Sequence, residues 1–174
     1  FSFRDLSTAD FSGANLRHAI LANANFTRAT LLGADLRVAN LRRANMTRCD
    51  LRASCMRGAD LTEAILVNAD MREGVLAWHD GTEMRYQHDT TEISAAVAKR
   101  ADFTGAKLSS SFIAQTDFTD AVLRNASPTG ADMRNCLFIG AQMDGADLSG
   151  AKLMGADLTG ADLSDVIVKN ANFE

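Results

Sequence analysis

Residues 34–61 read ADLRVANLRRANMTRCDLRASCMRGADL. Cut into fives, the stretch returns a large apolar residue at Leu36, Leu41, Met46, Leu51, Met56 and Leu61, with a very small residue two positions before each. A helix repeats every 3.6 residues and a strand every 2, so a period of five belongs to neither. It marks a repeat architecture. Outward from this stretch the same register holds at Leu6, Phe11, Leu16, Leu21, Phe26 and Leu31, and at Leu66, Met71 and Leu76. It resumes at Phe103 and runs in fives to Phe173. Of these 30 positions 27 are Leu, Phe or Met, and the residue two earlier is Ala in 22, so one rule governs nearly the whole chain.

A five-residue unit with two inward side chains must bend once per unit, or its apolar face could not stay covered. Four bends of about 90° close a square coil of 20 residues, and successive coils stack at the strand spacing of roughly 4.8 Å. The large residue fills the axis and the small one fits the corner. The Asp or Asn before the large residue can bond its own backbone and support the turn. Gly105, Gly130, Gly140, Gly145, Gly150, Gly155 and Gly160 all stand last in their pentads, where a turn calls for positive φ.

Units such as Ala34-Asp35-Leu36-Arg37-Val38 and Ala156-Asp157-Leu158-Thr159-Gly160 resemble the pentapeptide-repeat family, with its A(D/N)LXX consensus, over about 150 residues. The resemblance implies an all-β fold, a right-handed quadrilateral β-helix of about eight coils. Pro128 occupies a large inward slot and has no N–H, so one inter-coil hydrogen bond is expected to be missing near Ser127–Thr129 without loss of the coil.

The repeat breaks between Leu76 and Phe103, which divides the chain into coils at 1–76, an inserted segment at 77–100 and coils at 101–174. The insert contains the sole Trp (Trp78), the sole Tyr (Tyr86), and His79 and His88. Its first half reads as a loop. In its second half, Thr91 to Lys99, the spacing of Ile93 and Val97 predicts a short helix or a return to the wall of the coil. Two arrangements fit: one continuous solenoid with an excursion, which is preferred, or two half-solenoids joined by a linker. A loop of this length in a regular solenoid points to function. The alternative is that Trp78 and Tyr86 pack on Ile65 and Val67, which should face outward.

Composition excludes several classes. No apolar run approaches the ~18 residues of a membrane span, and no signal peptide is apparent. Three cysteines argue against a disulfide framework and for a cytoplasmic setting. Cys49 and Cys136 fall in small inward slots, whereas Cys55 should face outward. The chain begins at Phe1, in register and without Met, and reads as part of a longer protein. His18, His79 and His88 share no metal-ligand spacing with the cysteines, and no phosphate-binding Gly loop occurs. Neither catalysis nor a cofactor nor a metal is expected, because the many Asp residues are turn formers at one pentad position.

Charge is uneven. Residues 1–76 carry ten Arg and eight acids, residues 101–174 five bases and ten acids, and the whole chain −4. Residues 20 apart stack, so Arg17, Arg37 and Arg57 form a stripe suited to an acidic partner, with shorter ladders at Arg28/Arg48 and Arg52/Arg72. No face is basic along its length, which argues against direct nucleic-acid binding. Leu137, Ile139, Ile167 and the terminal Phe173 suggest a homodimer through the C-terminal coil.

The expected role is a non-catalytic scaffold that binds a protein partner through the Arg stripe and through Trp78, His79, Tyr86 and His88. The family resemblance adds an alternative, since some members imitate duplex DNA and modulate type II topoisomerases such as DNA gyrase. The acidic second half fits that idea and the arginine ladders oppose it. A regulatory domain of a larger bacterial signalling protein is a further alternative.

Overall fold

A computed structural model describes residues 1–174. The chain winds into a right-handed quadrilateral β-helix. Its four walls are columns of parallel bridges between residues 20 apart, such as Asp10–Thr30–Asp50–Asp70 and Asn15–Asp35–Cys55. One pentad shows how the wall is made. The N–H of Leu36 donates to Cys55 O on the next coil (2.7 Å), and that of Val38 to Arg57 O (3.1 Å). Ala39 N–H closes the turn on Leu36 O (3.0 Å), and Asn40 N–H reaches back to Ala19 O (2.9 Å). The fifth N–H, that of Arg37, donates to the Asp35 carboxylate (3.2 Å). Every N–H of the unit thus has an acceptor, as a buried or half-buried backbone requires.

The bend lies at the fifth residue. From Phe3 to Asn170 φ at that position is between +54° and +69°, with Glu73 the one exception. Ten of these residues are glycine and twenty are not. The Asp or Asn of the pentad supports the bend as expected: Asp10 Oδ1 accepts from Ser12 N (2.9 Å) and Ser12 Oγ (2.6 Å).

Inside, the large residues form one continuous core. Phe118 and Phe138, one coil apart, stack with ring centres at 5.2 Å, and Phe103 meets Phe118 edge-on at 5.4 Å. Polar residues in the small slot are satisfied internally. Ser54 Oγ donates to Leu51 O (2.6 Å) and Thr116 Oγ1 to Ile93 O (2.7 Å). Pro128 behaves as its chemistry demands. The Ser127–Asp147 bridge is missing from its column, yet Gly130 N–H still bonds Ser149 O (2.8 Å) and the coil continues.

Of the two readings of Thr91–Lys99, the return to the wall of the coil holds and no helix forms. Ile93 and Val97 do not share a face, since Ile93 is buried in a large slot and Val97 lies on the wall between Asp60 and Asp117. The coil resumes at Thr91, with Ile93 and then Ala98 as the large residues before Phe103. Leu76 is not a coil residue: the first block ends with the pentad of Met71, and Ile93 supplies the next.

The bridges carry the ladder across the break, from Cys55 to Glu92, Asp60 to Val97, Ile65 to Asp102 and Asp70 to Lys107. Their offset is 37 residues instead of 20, which leaves 17 residues, 74–90, outside the coil count. These form an antiparallel hairpin of β1 (Gly74–His79) and β2 (Met84–Asp89).

Because Glu73 and Thr91 occupy consecutive places in the pentad count, deleting 74–90 together with Glu73→Gly should leave a cooperative solenoid with a melting temperature within a few degrees of the parent. Deleting 74–91 instead sends Lys99 into an inward slot and should abolish cooperative melting, as circular dichroism will show.

Candidate functional site

The hairpin is the one element the coil does not require, and its root is closely fitted to the wall. Strand alternation puts Leu76 and Trp78 on the face toward the solenoid, opposite Gln87 and Arg85. The strand runs back along a single corner of the rod. Gly74 lies beside Leu32, Arg52 and Ala53, where an added Cβ would come within 2.9–3.2 Å of those side chains. Leu76 covers Gly33, where a Cβ would lie 2.4 Å from a Leu76 methyl. Trp78 and Leu76 join Ser12, Gly13 and Leu32 around a groove of about 240 Å³. At the far side of the insertion, Thr91 Oγ1 lies 3.0 Å from Leu51 O and 2.9 Å from Arg72 O, which anchors the returning chain in a small inward slot.

The tip is organised by Asp80. Its carboxylate accepts from Thr82 Oγ1 (2.6 Å), Glu83 N (3.0 Å), Thr82 N (2.9 Å) and Arg85 Nε (2.6 Å). These donors, the Thr82 hydroxyl foremost, hold the Asp80 carboxyl well below the usual range. His79 Nδ1 accepts the Gly81 N–H (3.0 Å). The outward face of the hairpin consists of Val75, Ala77 and His79 on β1 with His88, Tyr86 and Met84 opposite them. Tyr86 is 67% exposed and Trp78 47%. The apolar contacts of the root therefore go to Leu32 and Gly33, and the expected seat on Ile65 and Val67 gives way to this corner. Ile65 sits on another wall, exposed, and Val67 lines a separate groove.

The arginine stripe lies one corner further on. Asp35 binds Arg37 through two bonds, with Nε to Oδ1 at 2.8 Å, and has Arg17 Nε at 4.0 Å. The Arg37 guanidinium holds the Asp35 carboxyl below its ordinary value. Arg57 has no carboxylate partner. Arg52 and Arg72 are each held by the Asp two residues before them, at 2.7 and 2.8 Å.

Of the apolar residues near the C-terminal end, Leu137 stands on the wall of Asp117 and Asp157, and Ile139 follows it at the adjoining corner. Ile167 stands on the opposite wall, above Asp147. The structure does not gather them into one patch. Phe173 belongs to the last coil, whose large residues Leu163, Val168 and Phe173 are all exposed.

The three thiols are unpaired. Cys49 and Cys136 are buried and donate to Ala29 O (3.1 Å) and Ile113 O (3.2 Å), and burial pushes both up to about 12. Cys55 is half-buried on the wall with its Sγ 3.3 Å from Glu92 Oε2. Burial, and then the Glu92 carboxylate, raise its pKa.

Sequence reasoning placed Trp78, His79, Tyr86 and His88 in the insertion but missed the fitted corner. Its signal was the pair Gly13 and Gly33, one coil apart in one column, with Gly74 where the chain leaves the wall.

A square-walled solenoid with one ordered hairpin defines a repeat scaffold. The sequence model described as pentapeptide repeats matches in 8 copies, over residues 5–43, 44–76, 101–140, 116–155 and 136–174, and the chain belongs to the pentapeptide-repeat family. No curated protein matches it in sequence. Similar solved structures include HetL, a pentapeptide repeat protein involved in heterocyst differentiation regulation from the cyanobacterium Nostoc sp. strain PCC 7120. It is 28% identical over 98% of this chain and 75% of that one, with a TM-score of 0.45. QnrB1, a plasmid-mediated fluoroquinolone resistance protein, is 21% identical over 99% of this chain and 87% of that one, also at 0.45. A pentapeptide repeat protein from the Arabidopsis thaliana thylakoid lumen is 24% identical over 94% and 71%, at 0.19.

Two outcomes follow from the titrating groups. Native protein treated with a thiol-disulfide reagent at pH 8 should leave Cys49 and Cys136 unmodified, with Cys55 slower than a free thiol and faster in Glu92→Gln; all three should react in denaturant. Asp10, Asp35, Asp147 and Asp162 all have lowered pKa values in the fold, so their stabilisation is present above the unfolded value of about 3.9 and is lost as pH falls below it. Melting temperature should therefore hold from pH 7 to about 5 and fall below about pH 4.

Proposed function

We propose that this protein is a non-catalytic interaction scaffold that presents the 74–90 hairpin to a protein partner. The observation that supports this reading is the insertion itself. Seventeen residues that the coil does not count are nevertheless held in place by Gly33, Gly74 and Thr91, while Val75, Met84 and Tyr86 are left uncovered. An ordered aromatic with apolar neighbours is a suitable anchor for a partner surface. Both outer edges of the two-stranded sheet are unpaired, which suits a partner that adds an extended segment. The stripe of Arg17, Arg37 and Arg57 offers a second contact for an acidic region of the same partner, through Arg57 first, because it has no internal carboxylate.

Three free thiols support a reducing, cytoplasmic setting, and no helix is long and apolar enough to cross a membrane.

A second reading, modulation of a type II topoisomerase, draws support from the excess of five acidic charges over residues 101–174. The basic balance of the first 76 residues counts against a continuous DNA-like surface.

Affinity capture from a bacterial lysate with the parent, the 74–90 deletion carrying Glu73→Gly, and Tyr86→Ala separates these ideas. The hairpin reading expects capture to disappear with the deletion and to fall at least tenfold with Tyr86→Ala, about 1.4 kcal/mol or more for an anchor residue. Equal capture by all three proteins would sink it. Hairpin-dependent inhibition of DNA gyrase supercoiling, or its protection from a quinolone, would promote the second reading.

A further inference from the structure

We propose that Arg28 and Arg48 form a binding site for a phosphoryl dianion in a groove on the N-terminal coils, separate from the hairpin. Ten of the fourteen arginines have a carboxylate within 4.0 Å. The four without one are Arg4, Arg28, Arg48 and Arg57, and of these only Arg28 and Arg48 are neighbours, one coil apart in one column. The backbone fixes that register. Arg28 N–H donates to Thr47 O and Arg48 N–H to Val67 O, each at 2.9 Å, so the two side chains leave the corner one strand spacing apart. Like charges stacked in this way repel each other and call for a counter-anion.

The groove beside them has a volume of about 540 Å³ and no acidic residue in its lining. The column reads Thr8, Arg28, Arg48, Asn68 over four successive coils. Its two ends can donate as well. No side-chain hydrogen bond engages the Thr8 hydroxyl, and Asn68 Oδ1 lies over Gly105, which leaves the amide nitrogen free. The flanking Thr27 and Thr47 hydroxyls are already committed to Asn25 and Asn45, at 2.6 and 2.7 Å. The acids on the two flanking walls have partners of their own: Asp5 accepts from Ser7 N and Asn25 Nδ2, Asp10 from Ser12 N and Oγ, Asp50 from both arms of Arg52 and Asp70 from both arms of Arg72.

Two guanidiniums between a hydroxyl and an amide offer hydrogen-bond donors on every rung. That set matches a tetrahedral oxyanion of nearly two charges, which Arg binds through paired N–H donors. The shared chemistry is the phosphoryl group, whether as the free ion or as a monoester.

The test is a titration of the intact chain with inorganic phosphate and with phosphoserine, at constant ionic strength set by chloride, followed through the arginine Nε–Hε resonances in ¹⁵N spectra. Saturable shifts at Arg28 and Arg48 are expected, unaffected by Arg57→Gln and weakened about tenfold or more in Arg28→Gln/Arg48→Gln, a loss in keeping with charged hydrogen bonds. Tighter binding of phosphoserine assigns the site to a monoester, and equal or tighter binding of phosphate to the free ion. Non-saturable shifts, equal shifts at all arginines, or an unchanged response in the double variant would overturn the proposal. Both positions are exposed at a corner, so an unchanged circular dichroism spectrum will show that the variants fold.

Discussion

The square coil rests on a backbone bend repeated at one place in every unit. At the fifth residue φ is positive, and this allows the next Ala N–H to close on the large residue's carbonyl while the wall N–H groups still point along the rod axis. Positive φ costs an ordinary residue about 1–2 kcal/mol, and twenty non-glycine residues accept it here, among them the β-branched Val38 and Thr8. They can do so because the bend is over-determined. It is fixed by two inter-coil bonds, by the turn bond, and in half of the units by an Asp or Asn acceptor. Of 116 backbone hydrogen bonds, 109 lie in these rungs and turns, so the stability of the rod is that of its bends and their stacking.

The same constraint explains how the hairpin is tolerated. Glu73 is the one fifth residue without positive φ, and there the chain leaves the wall. It re-enters at the next pentad position, so the coils above and below meet through the Cys55–Glu92 and Asp60–Val97 bridges as if nothing intervened. The excursion is held by local fit. Gly33 already stands at a position that favours glycine for its φ, and the missing Cβ doubles as the seat for Leu76. One residue thus serves the turn of its own coil and the docking of a strand more than forty positions later.

Charge on the rod follows from stacking as well. A column brings side chains one strand spacing apart, so each arginine meets its neighbours in the coils above and below before it meets any partner. Glu63 is shared between Arg43 and Arg100 on either side, and Asp132 holds Arg134 within a single pentad. Where columns supply no acid, as at Arg28, Arg48 and Arg57, positive potential is left for something outside the chain. Most of these ion pairs are exposed and each contributes little to stability. Their arrangement matters more for what the surface can recognise.

By itself the sequence determined the coil. Period five, the alternation of small and large residues, the Asp and Asn acceptors, the inward Cys49 and Cys136 and the defect at Pro128 are properties of one unit and its nearest neighbours, and one unit is legible in five letters. The tertiary structure alone decided the boundaries of the insertion. Leu76 satisfies the pentad rule as well as Met71 does, and Ile93 and Val97 satisfy a helical spacing as well as a wall. Only the closing of the ladder between coils 37 residues apart shows that Leu76 has left the core and Ile93 has entered it. It also decided which side chains share a surface. Leu137 and Ile167 read alike as outward apolar residues, yet the four-fold winding puts them on opposite walls, and it brings Gly13, Gly33 and Leu76 to one corner. The reason is the same in each case: a local repeat specifies its own bend, whereas contact between distant residues depends on how many whole units separate them.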